Sequence, residues 1–376
     1  MKGNGAILLL ILSAFLIVIH HGCSQSAIKE EQGKELIVGV KIYDYSGDLG
    51  QLFIEWRGLG INTAYVSPDF CARGRFRELA RENGLAVYLI IPVFYNPEEL
   101  QKYPSFYAVT DAGEKAQDDW VQFICPTREE YRKRRIEYIK ELIQDLDPDG
   151  LSLDFIRYFV FWEMVYPDRT LDSLPNTCFD EHCLKKFQEE TGIAIPKNLK
   201  SIPEKARWIK KHHLQAWTEW KCRIITSMVK TASREARKLK PDISINIHLV
   251  PWREHDYSEA YRIIAGQDLT ALSPYVDYLS PMCYAHMLKR KPPWISSVVQ
   301  DMYRRTRGKI IPSIQVKEAY LPEKLTAEEF KLSLTASLKT PSAGVVFWSW
   351  DHFEQDPEKK EVVKKIVKEA KSNESF

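Results

Sequence analysis

The chain has 376 residues, which is enough for one large domain or two small ones. Its 53 Lys and Arg residues nearly balance 51 Asp and Glu residues, so the net charge of +2 gives no indication of a nucleic-acid partner, and none is expected. The apolar fraction of 44% is ordinary for a globular protein, and the 10 Trp and 18 Tyr residues suit flat apolar ligands as well as a large core.

The N-terminal segment predicts export. Lys2 is followed by an apolar run over residues 6–19, which has the length of a signal peptide and is short for a membrane span. The Gly-Cys step at Cys23 resembles the end of a bacterial lipoprotein signal, whose cysteine becomes the lipidated first residue, but His20 stands where that signal has an aliphatic residue. Lipidation of Cys23, ordinary cleavage nearby and an uncleaved anchor therefore stay open as alternatives.

The folded part of the chain is predicted to begin after a polar tether. Residues 24–35 (SQSAIKEEQGKE) are polar, and strand-like and helix-like segments alternate from there to the end. We therefore expect a signal segment over 1–23, a tether over 24–35 and a single domain over 36–376. Any membrane contact would be made through the N-terminus, and the protein would be a cell-envelope lipoprotein or be periplasmic or extracellular.

Eight predicted strands alternate with helical patterns. The strands are 37–44, 61–67, 86–94, 150–158, 243–252, 275–284, 309–316 and 344–350, and most are near-continuous apolar runs, as in a parallel sheet covered on both faces. The helices are 73–83, 128–146, 206–239, 294–307, 327–338 and 358–371. Gly84 is a predicted C-cap of the first helix, and Thr127 with Glu130 predicts a capping box at the second.

This alternation predicts an α/β fold, a (β/α)8 TIM barrel. The alternative, a doubly wound open sheet, usually carries a glycine-rich phosphate loop after its first strand, where this chain has Tyr43-Asp44-Tyr45. Two long connections, 95–127 and 159–205, follow strands three and four. Both are expected on the C-terminal face of the barrel, where long loops shape a substrate cleft.

The cysteines give little support for a metal site. Six remain besides Cys23, and among these Cys178 and Cys183 are the only close pair. Buried thiols or one local disulfide are the favoured interpretations. A metal clip through His182 lacks a fourth ligand and fits no standard zinc spacing, so neither a metal nor a cofactor is expected.

The ends of the predicted strands bring acids and aromatic residues to one mouth. The candidates are Asp44, Asp69, Tyr95, Asp154, Arg157, His248, Trp252, Glu254, Met282, Tyr284, His286, Gln315, Lys317, Glu318, Trp348, Trp350 and Asp351. Paired carboxylates with aromatic platforms suit glycoside cleavage, in which one acid protonates the leaving oxygen and a second carboxylate acts as nucleophile or base.

Asp154 is the strongest single candidate. It ends the apolar strand in DGLSLDFIRY, where a carboxylate is unfavourable unless it has a partner or a task. We predict that Asp154 is the nucleophile or base and that Arg157 keeps it ionised. Arg157 could instead be a salt-bridge partner alone, and Asp44 could simply cap the following helix.

A family resemblance rests on residues 120–159, WVQFICPTREEYRKRRIEYIKELIQDLDPDGLSLDFIRYF, with CFDEHCLKKFQEETGI, WTEWKC, ISINIHLVPW and VDYLSPMCYAH following in order. The pattern resembles the glycosyl hydrolase-like, or family 10-like, barrels over roughly residues 37–350. The resemblance implies an enzyme that hydrolyses O-glycosidic bonds of a polysaccharide or cell-wall glycan.

The strand of Asp154 also resembles that of amylase-type barrels, in which the matching Asp is the nucleophile, although Ser152 stands where those enzymes have arginine. The amylase-type acid follows strand five, so Glu254 ranks first as acid partner, ahead of Glu318 and Asp351. Glu254 and Glu318 lie in predicted loops and could simply be solvated.

Chitinase-type barrels give a weaker likeness. Their catalytic Glu is replaced by Ile156, so a substrate-assisted mechanism is not expected. The segment GVVFWSWDHF resembles their last strand, which implies that Trp348 or Trp350 forms the floor of the sugar site and that Tyr284 reaches the reacting ring. His248 is a further predicted substrate contact, and one of the two tryptophans is expected in the core.

Two other functions compete with hydrolysis. A non-catalytic carbohydrate-binding barrel on the cell surface would keep the aromatic residues and use the acids as hydrogen-bond acceptors. A metal-dependent deacetylase would need a His/Asp metal constellation, which the sequence does not show.

Overall fold

Nine parallel strands form one curled sheet in the computed structural model, which describes residues 36–373, and two further strands form a hairpin. The strands are β1 (Ile37–Ile42), β2 (Thr63–Val66), β3 (Ala86–Pro92), β4 (Gln117–Asp118), β5 (Val121–Gln122), β6 (Gly150–Asp154), β7 (Ser244–Leu249), β8 (Tyr278–Pro281), β9 (Lys309–Ile310), β10 (Ser313–Gln315) and β11 (Gly344–Trp348). The predicted signal segment, the tether and Cys23 lie outside the described residues.

The sheet closes into a barrel of eight staves. Its order is β10-β11-β1-β2-β3-β6-β7-β8-β9, and β9 and β10 are two parts of one stave, separated at Pro312, which has no N–H to donate. Parallel bridges from Met282 to Ser313 and from Ile310 to Ser342 carry the pairing past the break on both sides. The predicted (β/α)8 TIM barrel is therefore confirmed.

Helices cover the outside of the barrel. They are α1 (Leu49–Gly58), α2 (Pro68–Cys71), α3 (Phe76–Glu82), α4 (Pro97–Lys102), α5 (Glu129–Leu146), α6 (Glu181–Thr191), α7 (Ile202–His212), α8 (Leu214–Leu239), α9 (Ala260–Ile263), α10 (Leu269–Leu272), α11 (Pro293–Thr306), α12 (Ala327–Ser337), α13 (Trp350–Phe353) and α14 (Pro357–Asn373). Within residues 36–373, no helix combines the length and the apolar character needed to cross a membrane.

Three helix predictions differ from the structure. The predicted helix 206–239 is interrupted at His213 and continues as α8. The predicted helix 73–83 begins only at Phe76. The capping box at α5 is wrong, because Arg128 is the N-cap residue and the hydroxyl of the buried Thr127 faces the thiol of Cys125 at 3.0 Å.

The interior of the barrel is built in layers by the period-two alternation of the strands. At the bottom lie the rings of Tyr65 and Tyr88, and glycines make room for them. A Cβ atom at Gly39 would lie 2.5 Å from the Tyr65 ring, and one at Gly150 would lie 2.4 Å from the Tyr88 ring. These rings fill the lower part of the barrel. The inward-facing residues that come next along the strands lie above the rings and form the floor of the barrel mouth.

The two long loops meet each other beside the barrel mouth. Loop 95–127 contains α4 and the β4–β5 hairpin, and the insertion 159–205 contains α6 and two 3-10 turns, Trp162–Met164 and Leu171–Ser173. An antiparallel bridge between Thr110 and Thr177 joins the two loops. They therefore form one continuous wall on the side where the strands end.

The six cysteines of the described residues are buried free thiols. They are Cys71, Cys125, Cys178, Cys183, Cys222 and Cys283. Of the two predicted alternatives, buried thiols or a local disulfide between Cys178 and Cys183, the structure has the thiols.

Candidate active site

A cavity of about 290 Å³ opens at the carboxyl ends of the strands. Its lining is Lys41, Tyr43, Ile90, Pro92, Tyr95, Trp120, Asp154, Phe155, Arg157, Trp162, Glu163, Met282, Tyr284, Tyr320 and Trp348. The strand residues in this set come two positions after inward-facing residues. Because residues i and i+2 of a strand lie on the same face, these side chains also point inward, at the mouth of the barrel. The position is the one where barrel enzymes carry their active sites.

Asp154 lies at the bottom of the cavity. It is 9% exposed, and its Oδ1 accepts a hydrogen bond of 2.7 Å from the backbone N–H of Phe155. Burial opposes its ionisation, but the neighbouring His248, the charge of Lys41, this hydrogen bond and the charge of Arg157 together outweigh burial and lower the pKa of Asp154. Asp154 is therefore a carboxylate at neutral pH.

Arg157 supports Asp154 from a distance. Its buried guanidinium donates to the carbonyl oxygens of Val160 at 2.8 Å and Tyr158 at 3.3 Å, and it packs over the Phe123 ring at 4.8 Å. The positive charge of Arg157 interacts with Asp154 electrostatically, and the described contacts include no direct hydrogen bond between the two side chains. Arg157 therefore both holds the chain after β6 in place and favours the ionised form of Asp154.

Glu163 is the second buried carboxyl group of the cavity. It lies in the 3-10 turn Trp162–Met164, it is 8% exposed, and its Oε2 has no hydrogen-bond partner within the described part of the chain. Burial raises the pKa of Glu163 to about 7, and the charge of Asp154 adds to the effect while Arg157 opposes it. Glu163 is thus available as a proton donor near neutral pH, beside a carboxylate that is ionised.

Aromatic rings form the walls. Trp348 stacks on Tyr284 with ring centroids 4.7 Å apart and planes 14° apart, and Tyr95 stacks on Phe155 at 4.8 Å. At the rim, the indole N–H of Trp120 donates to the Tyr320 hydroxyl at 2.7 Å. This hydrogen bond joins the β4–β5 hairpin to the loop after β10 across the entrance.

His248 lies beneath the cavity rather than in its lining. Its Nε2 is 2.9 Å from Ser152 Oγ, which also accepts from the side-chain amide of Asn246 at 2.9 Å. Asn246 in turn accepts from Ser280 at 2.7 Å. Burial, together with Lys41, lowers the pKa of His248 to about 3, so the imidazole is neutral and serves as part of a polar floor.

The structure does not place the other predicted acids with Asp154. Glu254 is 51% exposed and pairs with Arg304 at 3.2 Å. Glu318 accepts from the backbone N–H of Leu325 at 3.3 Å. The remaining two are exposed: Asp351 contacts His352, and Asp44 pairs with Arg73.

The two tryptophans of the last strand have separate roles. Trp348 lines the cavity, whereas Trp350 is 1% exposed and packs edge-on against Trp56 at 5.6 Å in the core. Of the two residues predicted to contact sugar, Trp348 is therefore the one at the site.

Trp350→Ala is expected to lower the free energy of unfolding by about 3–5 kcal/mol, because it leaves a cavity in the core. Urea denaturation measures the loss. Trp120→Ala is the matched control, since its side chain is 39% exposed, and we expect a much smaller loss there. Equal losses in the two variants would contradict the assignment of Trp350 to the core.

Several residues of the cavity lining are absent from the sequence-based predictions, among them Lys41, Trp120 and Glu163. Two of them carry a recognisable pattern. Glu163 is the single acid in the apolar run 159–165 (FVFWEMV), and Lys41 is the single charge in IVGVKI. An isolated charge inside an apolar run is unfavourable unless it is used, which is the argument that found Asp154.

Comparison with known proteins gives similarity only at the level of structure. No family model matches the chain, and no curated protein does. The glycoside hydrolase domain of PgaB (BpsB) from Bordetella bronchiseptica has a TM-score of 0.65 and 14% identity, over 88% of this chain and 98% of that one. A GH42 beta-galactosidase from G. stearothermophilus has a TM-score of 0.63 and 14% identity, over 92% and 57%. Alpha-L-fucosidase isoenzyme 2 from Paenibacillus thiaminolyticus has a TM-score of 0.57 and 14% identity, over 91% and 50%.

These likenesses establish the fold: the chain has a TIM barrel similar to those of glycoside hydrolases. It spans nearly the whole of the first of these structures and about half of the other two. The finer likeness to family 10-like barrels stays a prediction.

Proposed function

We propose that the protein is a glycoside hydrolase that cleaves O-glycosidic bonds of a polysaccharide or cell-wall glycan. The observation that carries the proposal is the pair of buried carboxyl groups in one cavity with opposite pKa shifts, lowered for Asp154 and raised to about 7 for Glu163. Environments that push two carboxyl pKa values apart assign one group as acid and the other as base or nucleophile.

In this mechanism Glu163 is the general acid. Its proton passes to the glycosidic oxygen as the bond between that oxygen and the anomeric carbon breaks. The aromatic stack of Trp348 and Tyr284 supports a sugar ring at the cavity wall. In a retaining reaction, the Glu163 carboxylate then accepts a proton from the water that hydrolyses the glycosyl-enzyme bond.

Asp154 completes the pair. Its carboxylate either bonds to the anomeric carbon, which gives retention, or accepts a proton from the attacking water, which gives inversion. Lys41 and Arg157 stabilise the negative charge that Asp154 carries before the reaction. The anomer of the first product distinguishes the two courses.

We also propose that the protein acts outside the cytoplasm. The support is the sequence of residues 1–35, with an apolar run, the Gly-Cys step at Cys23 and a polar tether. Metabolic labelling with a fatty acid, in parallel for wild type and Cys23→Ala, tests the lipid anchor.

The test of the hydrolase proposal is reducing-end release from a panel of plant, algal and bacterial cell-wall glycans by the purified full-length chain. We expect one glycan class to be cut, and the variant carrying both Asp154→Asn and Glu163→Gln to cut none. Glu254→Gln is the matched control, because its carboxylate lies outside the cavity. Binding of a glycan by wild type without release would instead favour the carbohydrate-binding barrel.

A further inference from the structure

A cluster of three thiols and one carboxylate lies outside the cavity. The Sγ atoms of Cys125, Cys178 and Cys183 and a carboxylate oxygen of Asp180 lie within 4.8 Å of one another, and all four residues are buried. Cys125 Sγ is 3.2 Å from Cys183 Sγ, well beyond the bond length of about 2.05 Å in a disulfide. Three sulfurs and one oxygen that converge in this way form a four-coordinate donor set.

We propose that these four side chains bind a zinc ion. A tetrahedral zinc with Zn–S bonds of about 2.3 Å would place its sulfurs roughly 3.8 Å apart, which lies within the spread of this cluster. Magnesium and calcium take oxygen ligands, so a set dominated by thiols selects a softer cation. His182 precedes Cys183 in the sequence, but its side chain is exposed and it is not part of the set.

The hydrogen bonds around the sulfurs suit thiolates. The backbone N–H of Val109 donates to Cys178 Sγ at 3.2 Å. The Thr127 hydroxyl lies 3.0 Å from Cys125 Sγ and 3.2 Å from Cys183 Sγ, and it can donate to either. Since a metal-bound thiolate can only accept, the Val109 N–H and the Thr127 hydroxyl are outer contacts of the kind that zinc ligands have.

Two basic side chains, the partly buried Arg128 and the buried Lys221, lie beside the cluster. Four ionised ligands around Zn²⁺ leave two negative charges. Arg128 pairs with Asp180, and Lys221, whose charge acts on Cys178, donates only to neutral oxygens, those of the Asn176 side chain and two backbone carbonyls. Burial lowers the pKa of Lys221 to about 7, and negative charge on the cluster would favour its charged form.

The ligands come from both long loops. Cys125 lies near the end of loop 95–127, and Cys178 follows the bridge between Thr110 and Thr177. Asp180 is the N-cap residue of α6, and Cys183 lies in the first turn of that helix. A metal at this point would fasten the loop that carries Trp120 to the insertion that carries Glu163. The site is structural, because four protein ligands leave no open position.

The experiment measures the metal content of the full-length chain. Protein purified in reducing buffer is incubated with equimolar zinc, desalted and analysed by inductively coupled plasma mass spectrometry. We expect one zinc per chain in wild type and a fall of at least about tenfold in Cys183→Ser. Cys283→Ser, a buried thiol outside the cluster, is the matched control and should keep the metal.

Cobalt gives a readout that does not depend on the folding of a variant. Wild-type protein loaded with Co²⁺ should show the intense near-ultraviolet band of thiolate ligation, and zinc should displace it. Wild type that binds neither zinc nor cobalt would overturn the proposal, as would a Cys125–Cys183 disulfide in the protein purified without reductant that persists in the presence of zinc. Either result leaves the test of glycan hydrolysis unaffected.

Discussion

Glu163→Gln is expected to lower kcat/KM on the glycan identified in the panel by about 10²–10⁴-fold, the usual contribution of a general acid. Glutamine has the shape of the glutamic acid side chain, but it has no carboxylic proton to give to the leaving oxygen. The loss should be much smaller on aryl glycosides with an acidic phenol as leaving group, because such a group departs without a proton. Initial rates on the two kinds of substrate measure the difference.

The dependence of activity on pH is an independent test of Glu163 as the general acid. An acid must be protonated to act, so with a pKa raised to about 7 the activity of wild type should be present below pH 7 and fall as the pH rises through that value. Glu163→Gln should lose this alkaline limb, whereas the Glu254→Gln control keeps it. An unchanged limb in Glu163→Gln would assign the acid to another group.

Asp154→Asn is expected to lower the rate by at least about 10³-fold, on glycans and on activated aryl glycosides alike. The carboxylate acts on the anomeric carbon or on water, so a better leaving group does not replace it. This pattern, loss on both substrates, separates the partner carboxylate from the acid.

A structural explanation for the loss in Asp154→Asn can be tested directly. Asparagine keeps an Oδ1 atom that can accept from the N–H of Phe155, so the turn after β6 should be preserved. We expect an unchanged circular dichroism spectrum and retained glycan binding by calorimetry. Substantial hydrolysis by Asp154→Asn would remove this residue from the mechanism and leave Glu163 without a partner in the cavity.

The barrel could be predicted because the residue pattern within each strand is enough to indicate a parallel sheet covered on both faces. Strands covered on both faces are near-continuous apolar runs with few polar residues, and β2 and β6, which are buried along their whole length, follow this pattern. The same alternation delivers Asp154 to the mouth, since Gly150, Ser152 and Asp154 follow each other on the inner face. The start of α5 was less predictable, because the hydroxyl of Thr127 contacts the thiol of Cys183, 56 positions further along the chain, instead of capping the helix.

Glu163, the acid that we propose, could not be found from strand ends. Glu163 is carried by a 3-10 turn of the insertion, and periodicity says nothing about the path of such a segment through space. Ranking candidates by analogy with amylase-type barrels favoured Glu254, which the structure places on the surface beside Arg304. The composition of the run 159–165 was the better guide, because the cost of burying a charge applies on any backbone.

Because of the break at Pro312, the strands of the barrel are paired less extensively on one side than on the other. On that side β8 and β9 are paired through two residues, whereas β3 and β6 are paired through five. Local opening requires the fewest broken backbone bonds at this seam. Tyr284 contacts Ser313 across it, so we expect the cavity wall formed by Tyr284 and Trp348 to yield more readily than the wall that carries Asp154. A ligand of varying width would be accommodated by movement of the aromatic side alone, with the carboxylate held still.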